Sequence, residues 1–189
     1  MDFDKVIKTR ASIHEYSDKE VKHDKIIDAI EAASLAPSPG NLSFLKYIIV
    51  DYEETITKIA QACQQFFISS APMVIVVCSE KENVERMYDK RAGKYLRQTA
   101  GASIENFLLK ITEMKLASCW IGAFSETTIK NLLKIPDEIE VEAVLPIAYA
   151  TKRDNSKQKS KPNLGNIVFF ERYGNKFKRA REKVRQNVQ

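Results

Sequence analysis

The segment EAASLAPSPGNLSF, Glu31 to Phe44, carries a helical pattern straight into Pro-Ser-Pro-Gly-Asn and then into a strand. An ordinary surface turn needs one Pro or Gly. Two prolines together with Gly40 and Asn41 predict a chain path held rigid beside something else. Pro37 stops the helix, because a proline ring clashes with the preceding turn and restricts the residue before it. The segment LKYIIVDY that follows reads as a strand.

Working outward, Phe3, Val6, Ile7 and Arg10 fit a short helix with Asp2 or Asp4 near its start, where acids suit the dipole. Ile26, Ile27, Ile30 and Ala33 mark a second helix from about Asp24, and Ile56, Ile59, Ala60, Cys63 and Phe66 a third stripe. APMVIVVCS is the apolar, β-branched run of a strand covered on both faces. The polar stretch EKENVERMYDKRAGK predicts a loop or short helix. From about Arg91 to Lys115 runs the strongest helical pattern, with Leu96, Ala100, Ser103, Ile104, Phe107, Leu108, Ile111 and Met114 at three- and four-residue steps. The small residues Thr99 to Ser103 permit close helix approach. Gly93 and Gly101, each costing about 1 kcal/mol against Ala in a helix, suggest tight packing. A short strand ASCWIGAF, a helix from Ser125 to Leu133 with Ser125 as cap, and the strand VEAVLPIAYA complete the pattern. Pro146 inside that strand predicts an edge or a bulge. Four strands interleaved with helices predict a three-layer α/β arrangement in one domain, residues 1–189. Phe169, Phe170, Tyr173 and Phe177 near the end need cover from this subunit or another.

The composition is that of an ordinary soluble domain, 44% hydrophobic and 29% charged over 189 residues. No apolar run approaches the roughly 18 residues of a membrane helix, and MDFDKVIKTR has no signal-peptide core. The expectation is a cytoplasmic protein without membrane contact. Cys63, Cys78 and Cys119 are far apart and follow no metal spacing, so they read as buried free thiols of a reducing compartment. The net charge of +5 is concentrated in TKRDNSKQKSKP and NKFKRAREKVRQ. Basic tails can bind nucleic acid. Without an accompanying binding motif they read as a solvated loop and a charged terminal helix, and a local anion such as phosphate suits them better than a polyanion.

Conventional catalytic groups are scarce: two histidines, His14 and His23, and no GxSxG, HExxH, GxxxxGK[ST] or GxGxxG. A chain short of acid–base residues but rich in special backbone points to a cofactor that carries the chemistry. Three candidate sites stand out. In KTRASIHEY, Arg10, Ser12 and His14 alternate, so an extended segment aims all three one way as a phosphate cradle; the plainer reading is polar residues at a helix end. In APSPGN, Ser38 and Asn41 offer polar groups and Gly40 close backbone approach; the plainer reading is a stiff interhelical turn. In CWIGAFS, the amides of Gly122 and Ala123 could face a flat polar ring; the plainer reading is core strand.

Taken in this order, the segments resemble the FMN-dependent nitroreductase family over nearly the whole chain. Its members begin with Arg-Arg-Ser-x-Arg-x-Tyr/Phe, here RASIHEY, Arg10 to Tyr16. A helix then ends in Ala-Pro-Ser-x-x-Asn-x-Gln-Pro-Trp, here APSPGNLSFLK, Ala36 to Lys46. An Ala-Pro strand start, a long central helix and WIGAF, Trp120 to Phe124, follow, and KSKPNLGNIV stands loosely for a basic residue before Pro-Leu. The resemblance implies an α+β, three-layer nitroreductase-like fold with a central mixed, mainly antiparallel sheet flanked by helices. It implies a long central helix at the interface of a homodimer with two FMN molecules. Arg10, Ala11, Ser12 and His14 would meet the phosphate side, with Lys161 and Lys159 from the late loop. Pro37, Ser38, Pro39, Gly40, Asn41 and Ser43 of the opposite subunit would line the flavin, and backbone at Ile121, Gly122 and Ala123 would meet the ring near N5. NAD(P)H would give a hydride to N5 and a nitroaromatic, quinone or similar conjugated acceptor would take the electrons, so no side chain need act as nucleophile.

Three departures bear on this. Ala11 replaces a family Arg, and His14 replaces another basic residue. Ser43, Phe44 and Leu45 stand where Gln, Pro and Trp are usual, which changes the pocket wall. Lys161 replaces an Arg and loses its bidentate fork. The rival readings are a dehalogenase-like or flavin-modifying enzyme, with Glu80–Lys94 as the place for a lid, a flavin-binding protein without turnover, and a nucleic-acid binder using the basic tail.

Overall fold

A computed structural model describes residues 2–151 and 163–176. The chain divides into two compact units, residues 1–157 and 158–189. The first contains α1 (Phe3–Thr9), β1 (Tyr16–Ser17), α2 (His23–Ser34), β2 (Leu45–Val50), α3 (Glu53–Cys63), β3 (Met73–Glu80), α4 (Glu82–Tyr88), α5 (Ala92–Glu113), β4 (Ala117–Ser118), α6 (Glu126–Leu133) and β5 (Ile139–Ala150). In the second, α7 (Leu164–Ile167) is capped by the Asn163 side chain, which accepts from the Gly165 N–H at 2.9 Å, and the rings of Phe169 and Tyr173 lie 4.8 Å apart. Lys159, Lys161 and Phe177 fall outside the described residues.

The sheet runs β1-β5-β3-β2, with β4 also on β5. Every described pairing is antiparallel, in keeping with the expected mainly antiparallel sheet. β3 is buried along nearly its whole length, as its unbroken apolar run requires, and its alternate residues build two cores. Met73, Ile75 and Val77 pack with α2 and α5, whereas Val74, Val76 and Cys78 pack with α3 and α6. These are the three expected layers. No described helix is long and apolar enough to cross a membrane.

The apolar stripe of α5, from Leu96 and Ala100 through Ile104, Phe107, Leu108 and Ile111, is buried within the subunit. This stripe of the long central helix therefore serves the subunit's own core. The exposed apolar surface lies on neighbouring elements instead: Phe3 is 65% and Leu35 79% exposed, and both border a cavity with Leu109. The small residues of α5 do let α2 come close. The Ser103 hydroxyl donates to the Ala33 carbonyl at 2.8 Å and pairs with the Tyr47 hydroxyl at 2.6 Å. Since the Ser103 proton goes to Ala33, Tyr47 is the donor to Ser103. Ser103→Ala is expected to cost about 1–3 kcal/mol, because it strands the half-buried Tyr47 hydroxyl, while the Ala33 carbonyl keeps the Ala36 N–H at 3.1 Å. Urea unfolding should show it, with Tyr47→Phe the milder of the two.

The two helix glycines do not answer to packing. A Cβ at Gly93 would meet nothing within 4 Å, and one at Gly101 only Trp120, at 4.0 Å. Ser125 holds the N-cap position of α6, but its hydroxyl pairs with that of Thr128 at 2.7 Å rather than with a helix N–H. Pro146 lies on an interior strand, not an edge, and the register shift between β3 and β5 falls at Val77/Cys78. The reason is local pairing. Val144 exchanges both backbone bonds with Ile121, each 3.0 Å, so Pro146 two residues on faces the same side. There the neighbouring chain is unpaired between Ser118 and Ile121, and the absent N–H costs nothing.

Candidate functional site

The three candidate segments form two clusters along α5. The first joins RASIH to CWIGA. Arg10 closes α1, its N–H donating to Val6 at 2.9 Å, and the next residues run beside β4, with the Ile13 N–H on the Ser118 carbonyl at 3.1 Å. The alternation of Arg10, Ser12 and His14 does bring them to one place, the thiol of Cys119. His14 Nε2 lies 3.2 Å from Cys119 Sγ. Burial pushes the thiol pKa up, while the Ser12 hydroxyl and the Arg10 charge pull it down. The Arg10 side chain is only 12% exposed and its Nε lies 3.4 Å from Glu105 on α5. The His14 ring leans on Phe67, with centroids 4.5 Å apart.

Behind this strand is a cavity of about 230 Å³ lined by Arg10, Ala11, Thr112, Lys115 and Ser118 among others. Ser118 Oγ is buried and has no hydrogen-bond partner, the one such side-chain atom among the described residues. An unpartnered buried hydroxyl is costly unless something meets it. Along the same strand, Ile121 is buried by its bridge to Val144, while Gly122 and Ala123 are exposed. A Cβ at Gly122 would meet nothing within 4 Å, so a flat group can approach that backbone.

The second cluster is the Pro-Ser-Pro-Gly-Asn turn. Pro39–Asn41 forms one turn of 3-10 helix, in which Gly40 and Asn41 both adopt positive φ, +60° and +55°. That left-handed backbone accounts for Gly and Asn at these positions. The turn borders two cavities. One, of about 330 Å³, is lined by Ser38, Asn41, Ser43, Tyr47, Thr99 and Ser103 among others. The other, of about 420 Å³, lies between Pro37, Pro39 and the rings of Tyr88 and Tyr95. Burial raises the Tyr47 pKa.

None of the described cavities is lined by both clusters. The turn meets the N-terminal half of α5 around Tyr95–Ser103, and the Arg10 cluster its later part from Glu105. Cys119, Ser118 and Glu105 were not singled out by the sequence as site residues. A buried free Cys reads as core, and its partner His14 is 105 residues away. Lys159 and Lys161 cannot be placed with either cluster, since they lie outside the described residues.

Comparison with known proteins agrees with this arrangement of segments. The nitroreductase family profile matches residues 7–70 and 59–149, and so spans both clusters. The chain belongs to the nitroreductase family. A protein of Archaeoglobus fulgidus named for NADH dehydrogenase/NAD(P)H nitroreductase activity is 31% identical over 150 residues, covering 77% of this chain and 83% of its own. A nitroreductase family protein from Clostridium novyi is 27% identical, with a TM-score of 0.75 over 93% of this chain and 96% of its own. An FMN-dependent nitroreductase from Clostridium difficile is also 27% identical, with a TM-score of 0.75 over 89% of this chain and 98% of its own. The nitroreductase fold therefore extends over the sheet, α5 and both clusters.

Proposed function

We propose that this nitroreductase family member is an FMN-dependent NAD(P)H oxidoreductase. It works as a cytoplasmic homodimer and reduces a small conjugated acceptor, such as a nitroaromatic or a quinone. The observation that carries the reading is the meeting of Ser12, His14 and the nearly buried Arg10 around Cys119, on the strand that leads to the open backbone at Gly122 and Ala123. A guanidinium beside a hydroxyl suits an anionic group, and the phosphate of FMN is such a group. The solved relative whose name includes FMN dependence supports the same choice.

The chain's own groups have distinct roles in this reading. Arg10 presents a planar fork and Ser12 a hydroxyl to phosphate oxygens, with Lys159 and Lys161 as further cations. Backbone N–H groups at Gly122 and Ala123 meet the polar edge of the ring and stabilise negative charge that builds there. The Pro37–Ser43 segment of one subunit walls the flavin held by the other, which fits the separation of the two clusters along α5. Bound FMN supplies the two-electron carrier between NAD(P)H and the acceptor. The exposed Phe3 and Leu35, with Leu109, form the apolar face available to a second copy. The three cysteines are free and buried, as a reducing compartment allows.

The decisive experiment is the visible spectrum of the purified protein, reconstituted with FMN and then mixed with NADH or NADPH. A flavin spectrum that bleaches with one of them and recovers with a quinone is the expected result, together with a dimer by light scattering. No flavin bound after reconstitution, or a stable monomer that holds FMN with full affinity, would overturn the reading.

A further inference from the structure

We propose that Tyr88 is a specificity-determining residue, forming with Tyr95 the aromatic wall against which a flat, uncharged electron acceptor packs. The inference rests on the reading that the Pro37–Ser43 segment lines a flavin. The cavity of about 420 Å³ beside that turn has two proline rings, Pro37 and Pro39, on one side and Tyr88 and Tyr95 on the other. The two tyrosine rings meet edge-on, with centroids 5.1 Å apart and planes at 86°. Such a pair is preorganised, and both rings line the cavity, where a third aromatic group can pack on them. Gln98 and Thr99 supply neutral polar contacts, and no charged side chain lines the cavity. A planar ring with carbonyl or nitro oxygens matches that lining; a carboxylated or sulfonated one would be buried without a counter-charge.

The wall is fixed rather than loose. α4 is anchored by Val84, fully buried with Phe44, Ala92 and Leu96, so the polar stretch Glu82–Tyr88 is packed down on the body of the protein. Gly40 completes the device. A Cβ at Gly40 would stand 3.0 Å from the Tyr88 hydroxyl and 3.4 Å from Met87 Sδ, so a larger residue would push the Tyr88 side chain back by a few tenths of an ångström. Its φ of +60° favours glycine for a separate reason.

The test uses the FMN-loaded dimer and 2-methyl-1,4-naphthoquinone, with whichever of NADH and NADPH reduces the flavin faster. Tyr88→Leu removes the ring and is expected to raise KM for the quinone about two- to tenfold, the range of one aromatic contact. Tyr88→Phe keeps the ring and should stay within about twofold of the parent. FMN affinity, measured by fluorescence quenching, should be unchanged in the Tyr88 variants. Equal KM for Tyr88→Leu and the parent overturns the proposal, as does a fall in FMN affinity that parallels the rise in KM. A parent protein that binds no FMN sinks the flavin reading itself, and this is seen before any variant is made.

Discussion

Arg10→Ala is expected to weaken FMN binding by about ten- to a hundredfold while leaving riboflavin binding close to that of the parent. A charged hydrogen bond contributes about 1.5–3 kcal/mol, and each 1.4 kcal/mol is about tenfold in dissociation constant. Arg10 can hold two phosphate oxygens at once, and Ala11 beside it offers no substitute charge. Lys161→Ala should cost less, because an ammonium is a point charge without that planar fork and Lys159 stands two residues away in the sequence. The pairing of Arg10 with Glu105 at 3.4 Å sharpens the test. Arg10 is nearly buried, so its loss could also disturb the join of α1 to α5. Riboflavin separates the two effects: equal losses for FMN and riboflavin would mean that Arg10 holds the fold or the ring, not the phosphate. Fluorescence titration of the apo-protein with both ligands gives the answer.

Phe107→Ala should be the most damaging single change to stability, at about 3–5 kcal/mol. Phe107 is fully buried on α5 and packs in the core that α2 and α5 form on the sheet, beside Ile75, Leu145 and Ile147. Truncation removes apolar contacts and leaves a cavity that the sheet on one side and α2 on the other prevent from collapsing. The melting temperature should fall by roughly 6–20 °C for a chain of this size. Thr127→Ala, an exposed change on α6, should stay within about 0.5 kcal/mol. A loss below about 1.5 kcal/mol for Phe107→Ala, read by urea unfolding, would mean that the α5 core relaxes far more than its packing implies.

The sequence by itself determined the elements whose signals are local and long. The α5 stripe named from its spacing, from Leu96 to Ile111, is the stripe found buried. The unbroken apolar run of β3 is covered on both faces, and Gly40 and Asn41 take the left-handed backbone that their residue types favour. The alternation of Arg10, Ser12 and His14 was enough to gather them at one point. Each of these follows from covalent geometry or hydrophobic period, which a short window of residues contains in full.

Only the tertiary structure decided the rest, because it depends on which distant segments meet. β1 and β4 are two residues each, too short for any period, and exist because β5 offers backbone partners. Pro146 read as an edge or bulge signal, yet it occupies an interior strand, since the chain beside it happens to break where its missing donor points. The directions of the strands, all antiparallel where described, have no local signature. Cys119 looked like core and instead stands among Arg10, Ser12 and His14, and the Ser118 hydroxyl is left without a partner by the same crossing of segments. Gly40 reveals its second constraint, the reach of Tyr88, only once α4 is laid over the turn. Residue types set what each backbone segment can do; the long-range packing of α4, α5 and β5 set which chemical groups it faces.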